Sequence, residues 1–204
     1  LTNAQPEIAN YDFTTKKETI GALNYDGIKF QIIDMPAINL ETFDRGLANT
    51  ADILLVIITK IKDLNEILPF LDKSIGKKIV IFNKSDLFLN DDLRKIEATL
   101  KSKRHDFCII SCKNTQGIEE LKKKMVENSR VIRIYTKQPG KKPDADPVIM
   151  KPDSTVEDVA EKIFHKRIKI KEIRVTGPSS KFPNQKVGSS HILKDKDIVE
   201  FHTA

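Results

Sequence analysis

This chain has little cysteine and no long apolar run, which argues against a disulfide-bonded protein and against a membrane-spanning one. The 204 residues include only two cysteines, Cys108 and Cys112. Both lie in or beside one predicted strand, whose rise separates them by roughly 13 Å, too far for a disulfide without a bend. We therefore expect reduced thiols and a cytoplasmic location. No stretch of 18 uncharged apolar residues occurs, so we expect no membrane span and no membrane partner. Residues 1–4 also lack the pattern of a secretory signal.

Positive charge is what the chain has in excess, and it is unevenly distributed. Residues 131–204 carry 15 Lys and Arg against 10 Asp and Glu, whereas residues 1–130 carry 20 against 19. A basic second half favours a polyanionic partner, and RNA is the one we expect. A lysine-rich solvated surface explains the excess equally well, because no ladder of aromatic residues accompanies the lysines.

Strand and helix patterns alternate through the first half of the chain. The predicted strands are residues 28–33, 52–58, 79–82 and 107–110. The predicted helices are residues 40–50, 63–73, 91–103 and 117–128. The run at 52–58 is apolar without alternation, as in a strand buried on both faces of a parallel sheet. These patterns predict an α/β domain with a mainly parallel sheet.

The pattern changes near Ser129 and Arg130, and we place the domain boundary there, giving domains 1–130 and 131–204. The predicted strands of the second domain are residues 131–136, 148–150 and 172–177, and residues 193–201 are predicted to form a turn and a final strand. A single helix, capped by Ser154 or Thr155, falls between the second and third of them. Strands around one helix in about 75 residues predict an α+β, grasp-like arrangement.

The most specific chemistry lies in residues 83–86, Asn83-Lys84-Ser85-Asp86, directly after the predicted strand 79–82. The Asp86 carboxylate can accept two hydrogen bonds, from the ring N–H and from the exocyclic amine of guanine. Adenine has no donors in that arrangement and would leave a desolvated carboxylate unpaired. The Lys84 stem can lie along the base, and Asn83 can bridge neighbouring loops. For this tetrad alone, an ordinary turn with Asp86 as a helix N-cap is the alternative.

Two upstream segments suit the metal side of a nucleotide site. Asp34 ends the predicted strand 28–33 and precedes Met35-Pro36, and a carboxylate there can hold the magnesium shell beside a γ-phosphate. Thr15, or Thr14, lies in the preceding loop and can bind magnesium through its hydroxyl. Its backbone N–H can also sense the γ-phosphate. Taken singly, each segment also fits an ordinary turn or polar loop.

A fourth segment, Ser111-Cys112-Lys113, follows the predicted strand 107–110, and its N–H groups can meet the guanine carbonyl oxygen. In this order the four segments resemble a GTPase of the translation-factor-related class. Residues 11–15 and 34–36 are most similar to the Obg and developmentally regulated GTP-binding families. The resemblance covers about residues 1–130.

The second half resembles the TGS domain, a ubiquitin-like module shared by threonyl-tRNA synthetases, some GTPases and guanosine-polyphosphate synthetases. The residues that carry this resemblance are 134–137, 139–140, 155–163, 174–177 and 193–200. A GTPase half followed by a TGS half is the order of the developmentally regulated GTP-binding proteins. A threonyl-tRNA synthetase fragment is disfavoured, because N-K-S-D and D-M-P have no place there.

The resemblance implies a fold, a set of ligands and a class of partner. The expected fold is a P-loop-type GTPase domain, amino-terminally incomplete, followed by a small α+β ubiquitin-like β-grasp domain. The expected ligands are GTP or GDP and Mg²⁺, and the expected activity is slow hydrolysis of GTP to GDP and phosphate. Ribosome, RNA or a translation-associated protein is the expected partner, and DNA is not.

Two features depart from that family. No G-x-x-x-x-G-K-S/T phosphate loop occurs, so the expectation is that a strand and this loop precede residue 1. If they are truly absent, the chain itself is inactive. Ala37 stands where the family has the glycine of D-x-P-G, whose N–H turns toward the γ-phosphate. No general base is identifiable. The alternative interpretation is a non-catalytic RNA- or protein-binding module with a vestigial nucleotide site.

Overall fold

The computed structural model describes residues 1–2, 19–38, 41–164 and 170–203. The chain divides into two compact units. Unit 1 comprises residues 1–23 and 30–129, and unit 2 comprises residues 24–29 and 130–204. No helix in the described ranges is long and apolar enough to cross a bilayer.

Unit 1 is built on a parallel sheet of three strands in the order β3-β4-β5. These strands are β3 (Ile53–Ile58), β4 (Lys77–Phe82) and β5 (Asp106–Ile109). Val56 lies opposite Val80, and Ile81 lies opposite Cys108. β4 is apolar without alternation because it is the central strand, and its last four residues are buried. The predicted α/β class with a mainly parallel sheet is confirmed.

The helices of unit 1 are α1 (Arg45–Thr50), α2 (Asp63–Ile67), α3 (Asn90–Ser102) and α4 (Ile118–Asn128). The prediction of a helix over residues 40–50 is wrong for residues 41–44, because Asp44 Oδ1 accepts a hydrogen bond from Leu47 N at 3.0 Å and so caps α1; residue 40 lies outside the described residues. The predicted helix 63–73 changes at Leu68 into a short 3-10 helix that ends at Leu71. Pro69 explains this change, since proline lacks the N–H that an α-helix needs. The helices and strands share one core, formed by Ala48, Val56, Ile58, Leu64, Leu71, Val80, Phe82 and Leu100.

A hairpin precedes the parallel sheet and forms a separate two-stranded sheet. Its strands are β1 (Thr19–Tyr25) and β2 (Ile28–Asp34), so the predicted strand 28–33 is confirmed. Asp26 and Gly27 form the turn with φ of 49° and 78°, and two positive φ angles in a two-residue loop are typical of hairpins. β1 is not among the strands predicted from the sequence, although Asp-Gly between two alternating runs is a known hairpin signal.

β3 is an edge strand of its sheet within the ranges that the structure describes. Ile57 on this strand is 60% exposed. Within those ranges the outer backbone edge of β3 pairs with no other strand.

Unit 2 contains a five-stranded sheet in the order β7-β6-β10-β8-β9. Its strands are β6 (Ile132–Lys137), β7 (Val148–Met150), β8 (Ile170–Thr176), β9 (Gln185–Lys186) and β10 (Ile198–Thr203). β10 is parallel to β6 and antiparallel to β8. One helix, α5 (Val156–Phe164), buries Val156, Val159 and Ala160 in the core beside this sheet. The predicted β-grasp arrangement is confirmed.

Thr155 caps α5, which decides between the two predicted caps. Thr155 N donates to Asp158 Oδ2 at 2.7 Å, and Asp158 N donates to Thr155 Oγ1 at 3.3 Å. These reciprocal bonds satisfy two backbone donors at the helix start. The hydrogen bonds from Thr155 also lower the pKa of the Asp158 carboxyl.

Candidate guanine-nucleotide site

The predicted base-binding segments meet at the carboxyl ends of β4 and β5. Ile110 N donates to Phe82 O at 2.8 Å, and Ser85 N donates to Ile110 O at 3.0 Å. Asn83 N donates to Ile58 O at 2.9 Å, which ties the same loop to the end of β3. The carboxyl ends of parallel strands are where ligands of such sheets bind.

Asp86 is oriented by the hydroxyl of Ser111. Ser111 Oγ donates to Asp86 Oδ1 at 2.5 Å, and Lys113 N donates to Ser111 Oγ at 3.2 Å. Ser111 is fully buried, whereas Asp86 is exposed. The carboxylate is therefore fixed from the protein side and accessible to a base from the solvent side.

Asn83 bridges the two loops, as predicted. Asn83 Oδ1 accepts hydrogen bonds from Lys84 N at 2.7 Å and from Cys112 N at 3.3 Å. Lys84 itself has a left-handed backbone with φ of 64°, a conformation that costs free energy for lysine and that clusters at functional sites.

The alternative in which Asp86 caps the next helix is excluded. α3 begins at Asn90 and its N-cap position is Leu89. Asp86 lies instead within a short 3-10 helix, Ser85–Leu87. The carboxylate thus has no capping duty toward α3.

The loop after β5 ends at Gly117, a residue that was not among the predicted site residues. Ser111 N donates to Gln116 O at 3.0 Å, so the loop folds back toward its start. Gly117 has φ of 74°, and a Cβ there would lie 2.3 Å from Ile109 O. Only glycine fits this position. A glycine just before a helix, following a run of small polar residues, was the available signal.

The metal side of the site is described only in part. Thr14 and Thr15 lie outside the described residues. Asp34 ends β2 and is exposed, Pro36 is buried and Ala37 is half-buried. The carboxylate of Asp34 fits the oxygen ligands that Mg²⁺ prefers.

The two cysteines are free thiols in different environments. Cys108 is buried on β5, and burial, with the Glu120 carboxylate as the next cause, raises the pKa of its thiol to about 11. Cys112 is exposed beside the base-binding loop. Its Sγ is therefore the accessible thiol of the site.

Two family models match the chain. A model described as 50S ribosome-binding GTPase matches residues 1–84, and a TGS domain model matches residues 132–203. The two matches follow one another in the order that the sequence analysis predicted.

Relatives of known name align with almost the whole chain. An uncharacterized GTP-binding protein of Methanocaldococcus jannaschii is 27% identical over 98% of this chain and 72% of its own length. Developmentally-regulated GTP-binding protein 1 of Xenopus laevis and ribosome-interacting GTPase 1 of Saccharomyces cerevisiae are each 26% identical, over 98% of this chain and 76% of theirs. The first alignment runs over 282 positions, more than the 204 residues of this chain, so the alignment places gaps in this chain.

Among solved structures, Era in complex with MgGDPNP and nucleotides 1506–1542 of 16S ribosomal RNA shares the fold. The TM-score is 0.52 at 18% identity, over 83% of this chain and 62% of that chain.

Proposed function

We propose, on the premise that the chain belongs to the developmentally regulated family of GTP-binding proteins, that it reads the guanine base through the two loops described above. The observation that carries this proposal is the Asp86 carboxylate, oriented by Ser111 Oγ at 2.5 Å and open to solvent. Asp86 accepts from the guanine N–H groups, and Lys84 lies along the base. Asn83 holds the loops together. The N–H groups of residues 111–113, predicted to meet the guanine carbonyl oxygen, donate in this structure to Gln116 O, Asn83 Oδ1 and Ser111 Oγ, so contact with the base requires one of them to exchange its acceptor.

The residues predicted upstream of the base-binding loops would bind magnesium and the phosphates. Thr15 or Thr14 and Asp34 would hold Mg²⁺, which supplies charge neutralisation at the phosphates when it is bound. Ala37 keeps a backbone N–H for the γ-phosphate, without the conformational freedom of glycine. Hydrolysis of GTP to GDP and phosphate is then slow. This chemistry depends mainly on positioning and electrostatics, and no general base is identifiable in the sequence.

Residues 131–204, as the TGS domain, provide the contact with a ribosome- or RNA-containing partner, while residues 1–130 bind the nucleotide. The excess of 15 Lys and Arg over 10 Asp and Glu in residues 131–204 supports a polyanionic partner. The names of the yeast relative and of the family model support a ribosomal one. Such a partner is found in the cytoplasm.

A second candidate function is a non-catalytic module that binds RNA or protein and has only a vestigial nucleotide site. The absence of G-x-x-x-x-G-K-S/T from the sequence favours it, because phosphates then lose a cradle of backbone N–H groups. RNA affinity that ignores nucleotide would support this second candidate.

A titration of GDP and ADP with Mg²⁺ decides between the two candidates. It is run on this chain and on a form extended at its amino terminus by a strand and a loop of the form G-x-x-x-x-G-K-S. We expect the extended form to prefer GDP over ADP at least ~100-fold, because adenine leaves the Asp86 carboxylate unpaired. Equal affinities, or no binding by either form, would favour the non-catalytic module.

Alkylation of the two thiols gives an independent prediction for the base site. We expect iodoacetamide to modify Cys112 and to leave Cys108 unmodified, because Cys108 is buried and its pKa is about 11. Saturating GDP with Mg²⁺, in the form that binds it, is expected to slow Cys112 modification roughly fivefold or more by covering the loop. Mass spectrometry of peptides measures both sites. ADP at equal concentration is the control, and equal protection by ADP would argue against guanine binding at this loop.

A further inference from the structure

An exposed phenylalanine stands at the apex of the connection between β8 and β9, residues 177–184. Phe182 is 59% exposed, and its neighbours Lys181, Pro183 and Asn184 are exposed as well. The ring therefore contributes little to the core of unit 2. A single exposed apolar residue is ordinary on its own, so the inference depends on how the loop is held and on the charges beside it.

The Phe182 loop (residues 177–184) is held by side-chain bonds on both sides of the ring. Lys181 N donates to Gln185 Oε1 at 2.6 Å, and Asn184 N donates to Thr176 Oγ1 at 2.8 Å. Asn184 has φ of 56°, a left-handed conformation that asparagine tolerates. The ring is thus presented on a fixed turn, which lowers the entropic cost of binding through it.

Cations outnumber carboxylates around this loop, even when the buried Asp197 is counted, whose Oδ1 accepts a hydrogen bond from Ser179 N at 3.0 Å. Arg174 on β8 and Lys186 on β9 are cross-strand partners. Both pair with the same carboxylate, Glu172, at 2.5 and 3.1 Å, and these two ion pairs lower the pKa of Glu172. Lys181 adds a further positive charge next to the ring in sequence. The loop and the two strands that flank it therefore carry one exposed aromatic ring and an excess of positive charge.

We propose that the Phe182 loop binds single-stranded RNA, with a base stacked on the Phe182 ring and the adjacent phosphates held by Lys181 and Lys186. Stacking platforms flanked by cations are how proteins bind single strands without reading their sequence. A protein partner fits less well, because protein interfaces have an apolar centre of several side chains that is poor in lysine. This inference rests on the proposed RNA contact of the second domain, and it specifies the surface that makes the contact.

Fluorescence anisotropy with a labelled twelve-nucleotide oligouridine at several salt concentrations tests the proposal on the full chain. Phe182→Ala is expected to weaken binding roughly tenfold with an unchanged salt slope, because stacking carries no charge. Phe182→Tyr keeps the ring and is expected to bind like the wild type. Lys181→Gln is expected to reduce the slope of log affinity against log salt by about 0.7, the value for one phosphate contact on a single strand. Ile192→Ala removes another exposed apolar side chain of unit 2 and is the matched control.

The outcomes separate this inference from the proposed function. If the wild type binds oligouridine and Phe182→Ala binds equally well, the stacking surface is wrong while an RNA partner stands. If the wild type does not bind RNA at all, both are wrong. Ribosome co-sedimentation that Phe182→Ala abolishes without any change in oligouridine affinity would overturn the RNA assignment in favour of a protein contact.

Discussion

Asp86→Asn is expected to lower GDP affinity at least ~100-fold in the form that binds GDP, and to raise affinity for xanthosine diphosphate. Guanine offers two N–H donors side by side, and the carboxylate accepts from both. An amide offers one acceptor and one donor, so one contact becomes donor against donor, and hydrogen bonds to charged groups are the strong ones. Xanthine has a carbonyl in place of the exocyclic amine and therefore pairs with the amide. Competition of both diphosphates against a fluorescent nucleotide measures the change.

The matched control for Asp86→Asn is Asp91→Asn. Asp91 lies in the first turn of α3 and pairs with Arg94 at 3.3 Å on the surface, where an ion pair contributes little. We expect its nucleotide preference to be that of the wild type. A loss of GDP affinity in Asp86→Asn without a gain for xanthosine diphosphate would mean that Asp86 only maintains the loop. Unchanged GDP selectivity would contradict base reading by this carboxylate altogether.

The elements that sequence predicts best are those whose pattern depends on burial alone. β3 is a continuous apolar run, and β4 and β5 are apolar after Lys77-Lys78 and Asp106; each strand lies within two residues of its predicted bounds at either end. Helix bounds were less accurate where a single side chain decides them. Asp44 caps α1 five residues after the predicted start, and Pro69 replaces the end of the predicted helix 63–73 with a 3-10 turn.

The site was predictable where it is local in sequence and not where it depends on tertiary contacts. Residues 83–86 form one loop and were predicted as one motif. The bridge made by Asn83 was predicted from that motif, although its partner Cys112 N lies 29 residues away in sequence. Ser111 was expected to contribute only its backbone N–H. Its side-chain hydroxyl instead orients Asp86, which is 25 residues away in sequence. Glycine is required at position 117 because a Cβ there would collide with Ile109 O. The position of this glycine before a helix is visible in the sequence, but the close contact is not.

Arg133 shows the same limit in unit 2. The alternation of apolar and polar residues in 131–136 is typical of a strand that is exposed on one face, yet Arg133 is only 5% exposed. Two carboxylates cover it. Arg133 donates to Asp195 through Nε at 3.0 Å and through Nη2 at 2.5 Å, and its Nη1 donates to Asp26 O at 3.0 Å and pairs with the Asp26 carboxylate. Asp26 is the hairpin turn, which belongs to the same unit.

Arg133→Met is therefore expected to destabilise unit 2 by about 2–4 kcal/mol, because it removes charge-assisted hydrogen bonds and leaves two carboxylates without their buried partner. For a domain of this size the melting temperature falls by roughly 10 °C or more, which calorimetry of the full chain measures. Arg174→Met is the control on the neighbouring face, since its pair with Glu172 is on the surface. We expect Arg174→Met to melt within about 2 °C of the wild type.

The pH dependence of the melting temperature distinguishes loss of the Arg133 ion pairs from a general packing defect. The guanidinium of Arg133 is the main cause that lowers the pKa of Asp195. A carboxyl with a lowered folded-state pKa stabilises the fold above its unfolded pKa of about 3.9, and this stabilisation is lost as the pH falls through the folded pKa. The difference in melting temperature between the wild type and Arg133→Met should therefore shrink as the pH falls below about 4. A difference that is constant from neutral pH to pH 3 would mean that Arg133 stabilises unit 2 through the packing of its stem, and not through its pair with the Asp195 carboxylate.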